Sequence, residues 1–158
     1  MSTVPLKPSP LEIISQDVLG LLIDPYLDPD RQFGPGSLSV DRQVWSDQDN
    51  PGIWMINLQI HLTGTEDERP PSYAGHIKVV GRYRVHPEYR HDPEKLIRIT
   101  GASMLFGVAR EMIAHVTARS INGMLTLPSV SFFEEPEKKK PSPRASLKRK
   151  RDKPESKA

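Results

Sequence analysis

The sequence predicts an α+β domain, a four-stranded antiparallel sheet with one long helix, plus a short helical turn, on one face. Two segments, residues 53–63 and 73–85, alternate apolar and polar side chains, which is the period of half-buried strands. Apolar side chains recur at strong helical spacing only after residue 104. We therefore expect four strands followed by a helix that covers the apolar face of the sheet.

The first two strands give weaker signals. Residues 11–23 show some helical spacing, but their β-branched content and Gly20 favour a strand. Residues 24–36 are rich in proline and glycine and predict a loop. Residues 37–45 alternate again and predict the second strand.

The third and fourth strands pair most simply as an antiparallel hairpin with one buried face. The apolar face of the third strand consists of Trp54, Ile56, Leu58, Ile60 and Leu62. That of the fourth strand consists of Tyr73, Ile77, Val79, Tyr83 and Val85.

Asp92 and Pro93 are typical of a helix start and predict the short helical turn. The long helix runs from about residue 105 to residue 120 and ends before Gly123. Its predicted apolar stripe is Leu105, Val108, Ala109, Met112 and Val116. Residues 124–133 follow as an apolar extended ribbon, which we expect to be exposed.

The two ends of the chain differ from its middle. Residues 1–10 hold three prolines and predict a flexible arm, and residues 11–135 form the predicted domain. Residues 136–158 predict a basic, disordered tail. Residues 137–158 contain ten Lys or Arg and three acidic residues, a net charge of +7, whereas the rest of the chain has a net charge of −5. The overall +2 describes neither part.

No pattern indicates an enzyme, a metal site or a cofactor. The chain has no cysteine, and its N-terminus lacks the basic and apolar regions of a signal peptide. No apolar run approaches the roughly 18 residues that cross a bilayer, so we expect a cytosolic protein without membrane insertion. The histidines, His61, His76, His86, His91 and His115, lack the spacing of a ligand set.

The basic tail leaves two interpretations open. Its lysines and arginines could bind nucleic acid, ribosomes or an acidic partner by releasing counterions. It has no aromatic residue for base stacking, and a solubilising tail explains the same composition.

Two segments resemble the SecB-like family, which includes the protein-export chaperone SecB and its non-export relatives. The first is GVAREMI at residues 107–113, followed by VTARS at 116–120 and LTLPSVSF at 125–132. The second is GHIKVVGRYRV at residues 75–85. The resemblance implies an ATP-independent holdase for unfolded or nascent polypeptides, assembled as a homotetrameric dimer of dimers, that serves export or protects an antitoxin.

The resemblance also assigns roles to residues, although ordinary core or oligomer interface remains the alternative for each one. The peptide-binding groove would be lined by Tyr26, Leu27, Phe33, Trp45, Met124, Leu125, Leu127, Phe132 and Phe133. Met112 and Val116 would pack between subunits.

The chain departs from the export chaperone in three respects. The segment after Phe133 replaces most of the family's second helix, and the tail is basic rather than acidic to neutral. Near the acidic sheet face that docks on the export motor, this chain has Leu21, His76 and Lys78. These departures disfavour docking on the export motor, and the chain fits the relatives that protect an antitoxin at least as well as it fits the export chaperone.

Overall fold

The computed structural model describes residues 8–30, 32–65 and 69–133. The elements are β1 (Leu11–Pro25), β2 (Gly36–Ser46), β3 (Ile53–Gly64), β4 (Tyr73–Val85), α1 (Pro93–Leu96) and α2 (Ala102–Thr117), and a π-helical turn (Ile97–Gly101) joins the two helices. The predicted arm is described only from residue 8, and the predicted tail lies outside the described residues.

The four strands form one antiparallel sheet in the order β1-β4-β3-β2. The predicted hairpin of β3 and β4 is confirmed, and β1 and β2 are the two edges. The two edges differ in regularity. The β1 register shifts between Ile13 and Ser15 and between Val18 and Gly20, whereas β2 pairs with β3 without a break.

The core lies between the sheet and α2, as the alternation predicts. The apolar rows of β3 and β4 are buried against the helix, with Leu58, Ile60 and Val79 fully enclosed. Leu21 of β1 pairs with Ile77 and packs on this core, so the expectation that it lies on the exposed sheet face is wrong.

The predicted helix stripe is correct only in its first half. Leu105 and Ala109 are buried, but the next buried residue is Ile113, while Met112 is half-buried and Val116 is exposed. The predicted row through Met112 and Val116 and the observed row through Ile113 both have helical spacing. Only the direction in which α2 crosses the sheet decides which row faces the core.

Tyr83 is a fully buried tyrosine whose hydroxyl has partners on both sides. The Gln16 amide donates a hydrogen bond to this hydroxyl at 2.7 Å, and the hydroxyl donates to the carbonyl of Gly101 at 3.3 Å. Burial raises the pKa of the Tyr83 hydroxyl, and the Gln16 hydrogen bond opposes that rise. The contacts tie β1 and β4 to the start of α2.

We expect the free energy of unfolding to fall as the pH rises above about 10. The pKa of Tyr83 is higher in the folded state than in the unfolded state. The stability that Tyr83 contributes to the folded state is therefore complete below the unfolded-state pKa and is lost as the pH rises through the folded-state pKa. Urea midpoints measured between about pH 8 and pH 11 test this. Tyr83→Phe should flatten the dependence, and an unchanged alkaline slope in that variant would contradict the assignment.

Candidate peptide-binding site

One end of the sheet brings together the β1–β2 loop, the start of β4 and the turn that follows α2. The Asn122 side-chain amide donates hydrogen bonds to the carbonyls of Tyr26 and Ser72, at 2.8 and 2.7 Å. The Tyr73 hydroxyl donates to the carbonyl of Gly123. Gly123 has a φ of 77°, which suits glycine and lets the chain reverse after the helix. These bonds fix the turn against the loop.

Four large apolar side chains are exposed around this junction, and we call them the apical patch: Tyr26, Leu27, Ile121 and Met124. Leu27 and Met124 are 73% and 62% exposed. Leu27 and Ile121 line an open cavity of about 290 Å³ together with residues 28, 29 and 122. A cluster of exposed apolar side chains around a cavity is typical of a surface that contacts another polypeptide.

Residues 124–133, which we call the ribbon, run back along α2 in the opposite direction. The backbone N–H of Leu125 donates to the Thr117 hydroxyl at 2.8 Å, near the end of the helix. Phe132 packs edge-on against Phe106, nearer the start of the helix, with ring centroids 5.9 Å apart. Phe132 also lies under the guanidinium of Arg42 on β2. The ribbon therefore lies between α2 and β2, on the core side of the sheet.

The expectation of an exposed ribbon is wrong for its inner side chains. Leu127 is only 3% exposed and belongs to the core, and Leu125, Val130 and Phe132 pack against that core. The sequence alternation predicts one continuous face, but the buried positions shift phase between Leu127 and Val130. The sequence could not show that the sheet has uncovered area for the ribbon beside α2.

A second cavity, the ribbon cavity, remains between the ribbon and the sheet. It has a volume of about 210 Å³ and lies under the first half of the ribbon. Its lining includes Gly36, Leu38, Leu62, Tyr73, Leu125 and Leu127. Tyr73 thus connects the ribbon cavity to the turn that carries the apical patch.

The structure does not bring all the predicted groove residues together. Phe33 is half-buried on the β1–β2 loop, and Phe133 is 77% exposed where the ribbon ends. Trp45 is 40% exposed, but it pairs with Met55 on the sheet face away from the helix and lies at the far end of β2. Trp45 therefore does not belong to the apical patch.

Sequence reasoning missed one exposed apolar residue in a turn and one group of exposed apolar residues on β1. Ile121 sits in a turn directly before Asn122 and Gly123, and a large apolar residue in a turn was an available signal. The group on β1 consists of Ile13, Ile14, Val18, Leu19 and Leu22. Ile14 and Leu19 occupy the register shifts of β1, which a sequence pattern does not reveal.

Other kinds of site find little support in residues 8–30, 32–65 and 69–133. His61 and His76 face each other on the outer sheet face with ring centroids 6.1 Å apart, and His61 Nε2 lies 3.7 Å from Asp41. No group of three or more His, Asp or Glu within these ranges could hold a metal ion. None of the helices described is both long and apolar enough to cross a membrane.

No family model and no curated protein matches the sequence. The structure is similar to the SecB-like chaperone of Mycobacterium tuberculosis, solved in complex with a ChAD peptide from the HigA1 antitoxin. The TM-score is 0.60 at 17% sequence identity, and the match covers 77% of this chain and 91% of the other. The chain has a SecB-like fold. The predicted fold class and the resemblance of fold are thereby confirmed.

A second solved structure, of a protein of unknown function from Streptococcus agalactiae, is 11% identical with a TM-score of 0.46. It covers 75% of this chain and 96% of the other chain.

Proposed function

We propose that this SecB-like chain is an ATP-independent chaperone of the cytoplasm that holds non-native polypeptides. The observation that carries the proposal is the apical patch, in which four large apolar side chains are exposed and two of them, Leu27 and Ile121, line an open cavity. The Mycobacterium tuberculosis chaperone of the same fold was solved with an antitoxin peptide, which supports a polypeptide as the ligand class.

The physical basis of holding is the removal of apolar surface from water. Burial contributes about 25 cal/mol per Å² and has no directional requirement, so many client sequences can be accepted. Met124 suits this role because an unbranched thioether side chain adapts to irregular partners. The half-buried Phe33 and Leu125 would extend the contact surface, and Phe133 would add to it at the end of the ribbon.

We propose that the subunits associate through β1 and the outer flank of α2. The flank contributes Met112 and Val116, and Val116 lines a cavity of about 300 Å³ with Leu22 and other residues of β1. The exposed apolar side chains of β1 add to this surface. Covering them would remove an edge strand and its apolar side chains from water. A dimer of dimers, as the resemblance implies, is the assembly we propose.

We propose an antitoxin rather than exported proteins as the client. The outer face of β4 carries His76 and Lys78, because these positions alternate with the buried row, and it also carries Arg82 and Arg84, which form ion pairs with Asp47 and Glu12. The export chaperone docks on its motor through an acidic sheet face, and the basic side chains at the corresponding face of this chain do not suit that contact.

A second candidate function rests on the net charge of +7 in residues 137–158, which suits a nucleic-acid- or ribosome-associated adaptor. Deleting residues 137–158 separates the two functions. We expect the shortened chain to suppress aggregation of a chemically denatured client as well as the full chain does, at equimolar ratio and without nucleotide. Light scattering measures the suppression. Loss of suppression on deletion, together with loss of salt-dependent RNA binding, would favour the adaptor.

A further inference from the structure

We infer that the ribbon is a displaceable occupant of a second peptide-binding surface, and that a client segment takes its place between α2 and β2. The inference rests on the proposed chaperone function and specifies how a client binds. The ligand class is an extended polypeptide with large apolar side chains two residues apart, because Leu125 and Leu127, which the sheet already accepts, have that spacing.

The first supporting observation is how weakly the ribbon backbone is attached. Among the described residues, no backbone-to-backbone hydrogen bond joins residues 124–133 to the sheet or to α2. Within residues 124–133, the hydrogen bonds that attach the ribbon run from the Leu125 N–H to the Thr117 hydroxyl and from the Arg110 guanidinium to the Ser129 hydroxyl, at 2.8 and 3.2 Å, and the remaining contacts are apolar. A competing chain would not have to break a ladder of backbone hydrogen bonds to replace it.

The second observation is that the ribbon does not fill its place. The ribbon cavity of about 210 Å³ remains under Leu125 and Leu127, against Leu38, Leu62 and Tyr73. The cavity opens to the surface, and Ser37, Thr63 and Ser72 also line it. The apolar side chains that border it have fewer dispersion contacts than they would have in a close-packed interior. A client with a larger apolar or aromatic side chain at either position would fill this space and bind better than the ribbon does.

The third observation is that Phe132 makes the aromatic contacts at the far end of the ribbon as far as residue 133, beyond the core contact of Val130. Phe132 packs edge-on against Phe106 and lies 5.9 Å from the guanidinium carbon of Arg42. Arg42 is itself fixed, because it donates to the carbonyl of Arg98 in the π-helical turn at 2.8 Å. Phe133, the next residue, is exposed. Phe132 therefore holds the ribbon in place, and Gly123 at its other end can act as the hinge.

Substitutions that loosen the ribbon should change the client affinity in a definite direction. If the ribbon competes with the client, the apparent affinity is reduced by the fraction of molecules in which the surface is free. Weakening the Phe132 contacts should therefore strengthen client binding. If Phe132 instead lines the groove in place, the same substitution should weaken binding.

The decisive experiment bridges the ribbon to the helix, and the absence of native cysteine makes the chemistry selective. Arg110→Cys and Ser129→Cys are combined and joined by a short bismaleimide. The matched control joins Glu12→Cys to Arg84→Cys, an exposed pair of β1 and β4 whose side chains lie 3.0 Å apart. Fluorescence anisotropy then measures binding of a labelled extended apolar peptide. We expect the bridged ribbon to lose at least about tenfold in affinity and the bridged control to bind normally.

Each outcome distinguishes this inference from the proposed function. Unchanged peptide binding by the bridged ribbon overturns displacement and leaves the chaperone proposal intact. If neither the wild-type chain nor the unbridged variants bind peptide, the proposed function itself fails. A bridge between two chains, seen on a denaturing gel, would assign the surface to the ribbon of a second copy and overturn the intramolecular form.

Phe132→Ala provides an independent check that needs no cross-link. We expect it to bind the peptide about three- to tenfold more tightly, because it removes one aromatic pair that holds the ribbon. Weaker binding by a variant that remains folded by circular dichroism would overturn the inference.

Discussion

Replacing Gly75 with valine is expected to remove about 3 to 6 kcal/mol of folding free energy. Gly75 has a φ of 143°, a backbone conformation that residues other than glycine rarely adopt. A Cβ atom at this position would also overlap the carbonyl oxygen of Leu22 and lie 2.9 Å from its carbonyl carbon. Both groups are backbone of paired strands, so neither can move without opening the β1–β4 pairing. Urea unfolding followed by circular dichroism measures the loss.

The matched control for Gly75 is Gly107, on the exposed side of α2. A Cβ atom at Gly107 meets nothing within 4 Å. Gly107→Ala should therefore raise stability by about 0.5 to 1 kcal/mol, because alanine loses less conformational entropy in a helix. A Gly75→Val variant as stable as the wild-type chain would contradict the close approach of β1 to β4.

The second large effect concerns client binding at the apical patch. Combining Tyr26→Ser, Leu27→Ser and Met124→Ser should reduce the affinity for a denatured client by at least about tenfold. These side chains are exposed in the free protein, so their removal leaves no internal cavity and the free energy of unfolding should barely change. Suppression of client aggregation and urea midpoints are measured on the same preparation.

The control for the patch removes exposed apolar side chains elsewhere on the surface. Ile14→Ser with Leu19→Ser changes the two β1 residues at the register shifts, which are also exposed. We expect each subunit of this variant to bind client as the wild-type subunit does. The size of the assembly should change, which light scattering measures. Equal aggregation suppression by the patch variant and the wild-type chain would refute the apical patch as the client surface.

Much of the sheet could be predicted from the sequence because each of its two central strands has a buried face and a polar face. Burial forces a strict alternation on β3 and β4, and the alternation is visible in the sequence at Ile56, Leu58 and Ile60 and again at Ile77 and Val79. The edge strand β1 carries apolar residues on both faces and two register shifts, so its pattern resembled a helix as much as a strand.

The candidate site was less predictable, because exposure depends on contacts between distant segments. Sequence reasoning selected Tyr26, Leu27 and Met124, and all three are exposed at one end of the sheet. It grouped them with Leu127, which the core encloses, and with Trp45, which lies on the opposite face. An apolar residue in an irregular segment gives the same sequence signal whether it covers the core or contacts a partner.

The sequence by itself determined the class of the domain, the pairing of its central strands, the chain reversal at Gly123 and the opposite charges of body and tail, although α2 already ends at Thr117 and not at about residue 120. These follow from local periodicity, turn chemistry and composition. Only the tertiary structure decided that Ile113 rather than Val116 faces the sheet, and that the ribbon covers the area beside β2. The reason is that a helix narrower than the sheet leaves apolar surface uncovered, and the position of the helix determines which segment covers it.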